Sequence, residues 1–459
     1  MFIKKHGIFL AICLIALIIK FVLAAQPTSP WWDPAIYVGM GKYLFSSGMF
    51  GLWEILRPPL WPIILGEAWS IGLEPLAVAK VLVIASSLAT LVVLYVLGEK
   101  YEKGVGLTAA ILLATSPIHN FFVTVPTNDI PSTLLSLLAV YTILQKRYTL
   151  SGLLAGLAFL TRFPHALFMA PLGLFIVIEE WPNFKSTFKK GLALTAGFAA
   201  IVIPYFILNY IMYQDALLPI KLGRSIIEGN PDQSPFFYIF YLIADNPLIL
   251  LSLVGIIVFI ISIIKTRKKP EPLFTLSFLC LLIVGTYLSQ IGHKELRYAF
   301  PFQPYILLFA GLGLSYLWNL AHTKKRMLIA VSVIIVLGFT NLFAYTGRAW
   351  FDLLSKERHD YYAFVPPKAR TLTTAPQIML FSDAKVVGVF DSWENGSVWL
   401  QQERETLEYV SIDDCQIFCR SGNCEKQKTA FFNALALGDL QYQDSDREGK
   451  CTLSVYKLR

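Results

Sequence analysis

The sequence predicts an all-α polytopic membrane bundle of about eleven transmembrane helices, followed by a small extracytoplasmic α/β domain. Three observations carry this. Of 459 residues, 55% are hydrophobic and only 15% charged, where a water-soluble domain has nearer a quarter charged. Apolar runs long enough to cross the roughly 30 Å hydrocarbon core recur along the chain. Positive charge collects in alternate short connections, the pattern of cytoplasmic loops. The mean hydropathy is +0.57. The net charge of +8 is therefore read as lipid-facing loop charge, not as a nucleic-acid surface.

The runs lie near Ile8–Leu23, Leu76–Leu97, Val105–Phe122, Pro131–Leu144, Leu150–Ile178, Leu192–Met212, Pro247–Ile264, Leu273–Ser289, Phe302–Trp318 and Met327–Tyr345. The first follows Lys4 and Lys5 like a signal peptide, but its length and the spans after it make it a retained helix. Leu150–Ile178 has basic loops on both sides. One helix of that length, about 43 Å, would strand one of those loops outside. Pro164 disfavours helix at Phe163, so two short spans meeting at Arg162 are expected. This puts the N-terminus in the cytoplasm, the C-terminus outside, and the chain in the plasma membrane.

Residues 1–346 form the membrane domain. Its first outer loop, 26–75, holds two helical faces, Ile36/Met40/Tyr43/Leu44 and Trp61/Ile64/Leu65/Ala68, expected to lie in the membrane interface. Residues 347–459 form the soluble domain. Strands are expected over Ile378–Ser382, Lys385–Phe390, Leu407–Ile412 and Thr452–Lys457, and a helix over Thr429–Leu437. Asp383, Asp391 and Glu394 read as solvated loop residues. Cys415, Cys419, Cys424 and Cys451 all fall here and suggest two disulfides in an oxidising compartment. Their pairing is left open, with a zinc site as the alternative.

Ionisable residues between apolar spans at a membrane boundary carry a functional hypothesis by default. Asp33, in WWDPAIYVGMGKYL, suits a general base or a helix N-cap before Pro34. Arg57, in RPPLWPIILG, suits a phosphate or a snorkelling position. Asp129, in PTNDIPSTLLSLL, suits an N-cap or a catalytic or metal-ligating carboxylate. QIGHKELRYAFPFQPYILL places His293, Lys294, Glu295 and Arg297 between two spans. Lys294 and Arg297, three apart, would share a helical face and stabilise a lipid-phosphate leaving group. A solvated loop with a Glu–Arg pair is the alternative.

These motifs, in this order and sidedness, resemble the C-type glycosyltransferase superfamily over roughly residues 1–345. An acid follows the first span, RPPLWP comes later in the same loop, and TNDIPSTLL and GLLAGLAFLTRFPHALFMAPL follow. HKELRYAFPFQPYIL is similar to the HKExRF-type element of GPI- and dolichol-pathway mannosyltransferases. The first half is closer to protein mannosyltransferases and lipid A aminoarabinose transferases. Pro34 stands where a second acid would adjoin Asp33, so any divalent metal is left unassigned.

The resemblance implies an inverting transfer of a sugar, mannose being favoured, from a polyprenyl or dolichyl phosphate to a hydroxyl on a protein, glycan or lipid acceptor. The membrane lipid and the isoprenoid-linked sugar are the implied partners. Asp33 would be the base and Arg57, Arg162, Lys294 and Arg297 the phosphate partners. Asp129, His293 and Glu295 would play supporting parts. The alternative is a transporter or flippase of lipid-linked sugars; no internal repeat of the transporter kind is present.

Overall fold

The structure is a computed structural model that describes residues 2–25, 31–228, 233–266, 269–320, 332, 336, 360–418, 423–435, 438–445 and 451–458. The chain forms two compact units. One comprises Met1–Gln26, Ile55–Pro58 and Lys80–Ala349; the other comprises Pro27–Glu54, Pro59–Ala79 and Trp350–Arg459.

The helices, in chain order, are α1 (Phe2–Ala24), α2 (Trp32–Phe45), α3 (Leu60–Ser70), α4 (Pro75–Tyr101), α5 (Val105–Ala114), α6 (Pro117–Thr124), α7 (Asp129–Leu144), α8 (Tyr148–Thr161), α9 (Met169–Glu180), α10 (Phe184–Tyr213), α11 (Leu218–Glu228), α12 (Phe237–Asp245), α13 (Leu251–Thr266), α14 (Pro272–Gln290) and α15 (Gln303–Leu320). Three more follow: α16 (Ile378–Phe381), α17 (Trp393–Gln402) and α18 (Cys424–Leu435). Among the described residues, six helical segments are long and apolar enough to span a membrane, or seven if α5 and α6 are one bent span. The α7 and α8 helices are shorter apolar helices. The run Met327–Tyr345 lies outside the described residues.

Two breaks in the membrane unit shape it. The run expected as one span over Val105–Phe122 bends by 55° between α5 and α6, because Pro117 disfavours helix at Ser116. Ser116 instead caps α6, accepting from His119 N–H. The second break falls where TRFP predicts it. Arg162 ends α8 in an extended conformation, and a 3₁₀ turn, Phe163–Phe168, leads into α9. α8 also lies close on α10: a Cβ at Gly152 would overlap the Leu194 carbonyl, and one at Gly197 the Thr149 carbonyl. Such approach is how membrane helices gain packing energy where lipid offers no hydrophobic contrast.

In the second unit, strands β1 (Arg370–Thr373), β2 (Lys385–Val389), β3 (Tyr409–Asp413), β4 (Asp439–Ser445) and β5 (Thr452–Lys457) form one sheet of order β2-β1-β3-β5-β4. β1 runs parallel to β2 and β3, and β5 antiparallel to β3 and β4. The strand expected over Ile378–Ser382 is the helical turn α16. A short apolar run fits either state, and here Met379 N–H donates to the Pro376 carbonyl and Ser382 N–H to Ile378. β1, β4 and α17 were not anticipated. β1 is four residues long, and three successive ones are buried, so it shows no alternation.

The faces expected at the membrane interface are partly occupied by protein. Ile36 and Met40 of α2 are buried in one cluster with Tyr361, Tyr362, Ile378, Met379, Val386 and Val455. Trp61, Leu65 and Ala68 of α3 are buried as well, while Ile64 and Leu44 remain exposed. α2 and α3 pack through glycines, a Cβ at Gly41 falling 2.6 Å from Gly66 N.

Candidate active site

In the membrane unit, three separate motifs meet at one end of the helices. α7 and α8 are joined by a short turn, so the start of α7 and the end of α8 lie side by side. Asn128 Nδ2 donates to the Thr161 carbonyl there. Asp129, in the first turn of α7, then faces Arg162, the residue that ends α8, and the two form an ion pair. Arg297, from the connection between α14 and α15, brings Nη1 to 3.8 Å from the second Asp129 oxygen. The Asp129 side chain does not cap its helix; it accepts from Arg162 and lies in ion-pair range of Arg297.

Glu295 ties the rest together. Arg297 Nε lies 2.7 Å from Glu295 Oε2, the Tyr298 hydroxyl donates to Glu295 Oε1 at 3.1 Å, and His293 Nε2 lies 3.4 Å from the same oxygen. The Tyr298 ring carries the Arg162 guanidinium at 4.9 Å and that of Arg297 at 5.9 Å, a cation–π arrangement. Burial, reinforced by the Glu295 charge, pushes the Tyr298 phenol up to about 12. It therefore remains a hydrogen-bond donor at neutral pH. Two guanidiniums, two carboxylates and one phenol thus form a compact network that is mostly withdrawn from solvent.

Lys294 departs from expectation. The segment before Leu296 is extended at Glu295, and only Leu296–Ala299 forms a 3₁₀ turn. Lys294 and Arg297 therefore do not share a helical face. The Lys294 ammonium is buried and donates to the carbonyls of Gln233 and Ile291. Gln233 Oε1 accepts from the Lys294 N–H, and Gln233 N–H donates to Gly292. This lysine staples the loop to the segment that precedes α12.

Asp33 lies in the first turn of α2, in the second unit, behind Trp31 as the N-cap residue, and is partly exposed. Arg57 sits in a bend between α2 and α3 and is also partly exposed. Asp383, read as a solvated loop residue, has a side chain 41% exposed and also pairs with Lys42 of α2 at 2.8 Å.

Several polar residues escaped the sequence reading. Lys20, in the α1 span, is fully buried and donates to Asn120 Oδ1 at 2.7 Å. Asn120 Nδ2 donates in turn to the Ala114 carbonyl at the α5–α6 break and to the Ser116 carbonyl, which also accepts Asn120 N–H. Asp245 accepts from the Ser116 hydroxyl and from Ile118 N–H. A lone lysine within an apolar span and a lone acid after FYIFYLIA were the available signals. Tyr298 stood inside the motif already singled out.

Cys415 and Cys451 form a disulfide, and Cys424 is disulfide-bonded; Cys419 lies outside the described residues. Asp413, Asp414, Cys415 and Cys451 are grouped closely enough to suggest a metal. The disulfide removes both thiolates, however. Asp413 accepts from Cys415 N–H, and Asp414 from Thr452 N–H and Lys428.

The family model of dolichyl-phosphate-mannose-protein mannosyltransferases matches residues 57–207, which include Asp129 and Arg162. No curated protein matches the chain by sequence. Solved structures that share its fold include ArnT from Cupriavidus metallidurans bound to undecaprenyl phosphate (14% identity, TM-score 0.65) and the same protein in the apo state (13% identity, TM-score 0.63). Each alignment covers 99% of this chain and 98% of the other. The family model thus matches about a third of the chain, and the fold is shared with these structures over nearly all of it.

Proposed function

We propose that this protein is an inverting membrane glycosyltransferase that moves a sugar from a polyprenyl phosphate to a hydroxyl acceptor on the extracytoplasmic face of the plasma membrane. The observation that carries the reading is the Asp129–Arg162–Arg297–Glu295–Tyr298 network at the ends of apolar helices. It supplies planar, always-charged donors suited to a phosphate. The fold is shared with a protein solved with undecaprenyl phosphate, which supports a carrier of that class. Mannose remains the favoured sugar through the matched family model.

In this reading Arg162 and Arg297 bind the carrier phosphate, with Arg57 a further candidate. Lys294 shapes the loop that presents Arg297; Glu295, with His293 beside it, holds that guanidinium in place; and Asp129 balances the charge of both arginines. Asp33 takes the proton of the acceptor hydroxyl, whose oxygen attacks the anomeric carbon from the face opposite the phosphate. The C1–O bond breaks, and the phosphate monoester leaves with the electron pair. A leaving group with a second pKa near 6 needs cationic stabilisation more than a proton donor.

The test uses membranes containing the full chain, supplied with undecaprenyl-phosphate sugars (mannose, glucose and aminoarabinose forms), and measures free undecaprenyl phosphate. Release by the wild type and a loss of about 10²–10⁴ in Asp33→Asn are expected. Full release in Asp33→Asn would remove that residue as the base. Movement of intact lipid-linked sugar without release would point to transport instead.

A further inference from the structure

The soluble domain grips the helix that carries Asp33. Lys42, one turn before the end of α2, is buried, and its ammonium donates to Asp383 Oδ1 at 2.8 Å and to the Ser382 carbonyl at 3.3 Å. Gly39 lies on the same helix, and a Cβ there would overlap the Met379 side chain of α16. Glycine inside a helix is unfavourable, so its place here reflects that close fit. Gly51, at φ +68°, would meet the Gly39 carbonyl with any Cβ. It bridges in parallel with Lys385, donating to the Ala384 carbonyl and accepting from Val386 N–H. The long first loop thereby covers the edge strand β2, which would otherwise be open for pairing.

Charge, close approach and backbone pairing converge on one half of α2, with Asp33 at the other end of the same helix. We infer that the soluble domain is a positioning element for the base, acting through Lys42–Asp383, Gly39–Met379 and the Gly51–Lys385 bridge. This rests on the reading of Asp33 given above. A general base works only within hydrogen-bond reach of its proton, and a misplacement of about 1 Å can cost on the order of 10²-fold in rate.

The full chain in nanodiscs is compared by hydrogen exchange of the α2 amides and by turnover of an undecaprenyl-phosphate sugar. Asp383→Ala leaves the Lys42 ammonium buried without its carboxylate. It is expected to speed α2 exchange at least tenfold and lower kcat at least tenfold, with donor KM unchanged. Asp383→Glu should stay within threefold of wild type in both. Lys42→Met combined with Asp383→Ala should recover part of the loss by removing the stranded charge. Wild-type exchange in Asp383→Ala would overturn the grip. Faster exchange with unchanged kcat would overturn the positioning role. An active Asp33→Asn would sink the assignment of the base while leaving the exchange result standing, so the two failures are distinguishable.

Discussion

Asp129→Asn should move folding stability and phosphate affinity in opposite directions. The Asp129 side chain is 1% exposed and serves two guanidiniums, Arg162 at 15% and Arg297 at 10%. At the 3.8 Å separation of Arg297 from Asp129, the gross Coulomb attraction is about 4 kcal/mol at an effective dielectric of 20. Removing one partner of a buried pair typically costs about 3–5 kcal/mol, because the remaining charge stays unpaired. With Arg162 and Arg297 balanced by Asp129 and Glu295, the amide variant leaves the network one positive charge in excess.

The thermal midpoint of the purified protein in detergent should then fall by roughly 5 °C or more. Under the proposed function, the same excess charge favours an anion, since a neutral amide would no longer compete with phosphate for the arginines. Binding of tritiated undecaprenyl phosphate should strengthen about tenfold, equivalent to ~1.4 kcal/mol. A ligand-induced rise in midpoint larger than in wild type should accompany it. Equal weakening of undecaprenyl phosphate binding in Asp129→Asn and Arg297→Ala would refute the idea that Asp129 and the phosphate compete for the same donors.

Arg297→Lys keeps the charge but loses the planar fork that reaches Glu295 and Asp129 together; undecaprenyl phosphate binding should drop at least tenfold, checked by the same radioligand assay. Gly152→Leu should force α8 off α10 and displace Arg162 at its end, lowering both the thermal midpoint and carrier binding, whereas Gly173→Leu, where a Cβ meets nothing within 4 Å, should change neither. Cys451→Ser opens a disulfide of sequence separation 36. The second unit should lose about 3–4 kcal/mol by the chain-entropy relation, read as faster proteolysis after residue 360 with the α-helical circular dichroism retained.

How legible each feature was depended on whether its cause was local. The break at Arg162 was readable because a proline restricts the residue before it whatever surrounds it. β5 was readable over Thr452–Lys457 because polar and apolar residues alternate in its sequence, Thr-Leu-Ser-Val, although Leu453, Ser454 and Val455 are all buried. β1 was not, since a short strand buried on both faces loses that alternation. The Lys294–Arg297 pairing failed for a related reason. Spacing of three implies a shared face only in a helix, and Lys294 spends its donors holding the loop shut. Tyr298 was visible as a residue but not as the platform beneath two guanidiniums.

Consecutive residues were enough to predict a polytopic membrane protein and to show its resemblance to C-type glycosyltransferases. Hydropathy and motif order run along the chain and need no partner to be recognised. That Asp129, Arg162 and Arg297 form one network emerged from the folded chain, because their meeting depends on which helix ends lie together. Folding also buried Ile36 and Met40 of α2 in one cluster with Tyr361, Ile378 and Val455, and paired Lys42 with Asp383. An apolar face is indifferent to whether lipid or protein covers it, and the choice is made by shape and charge brought from over three hundred residues away.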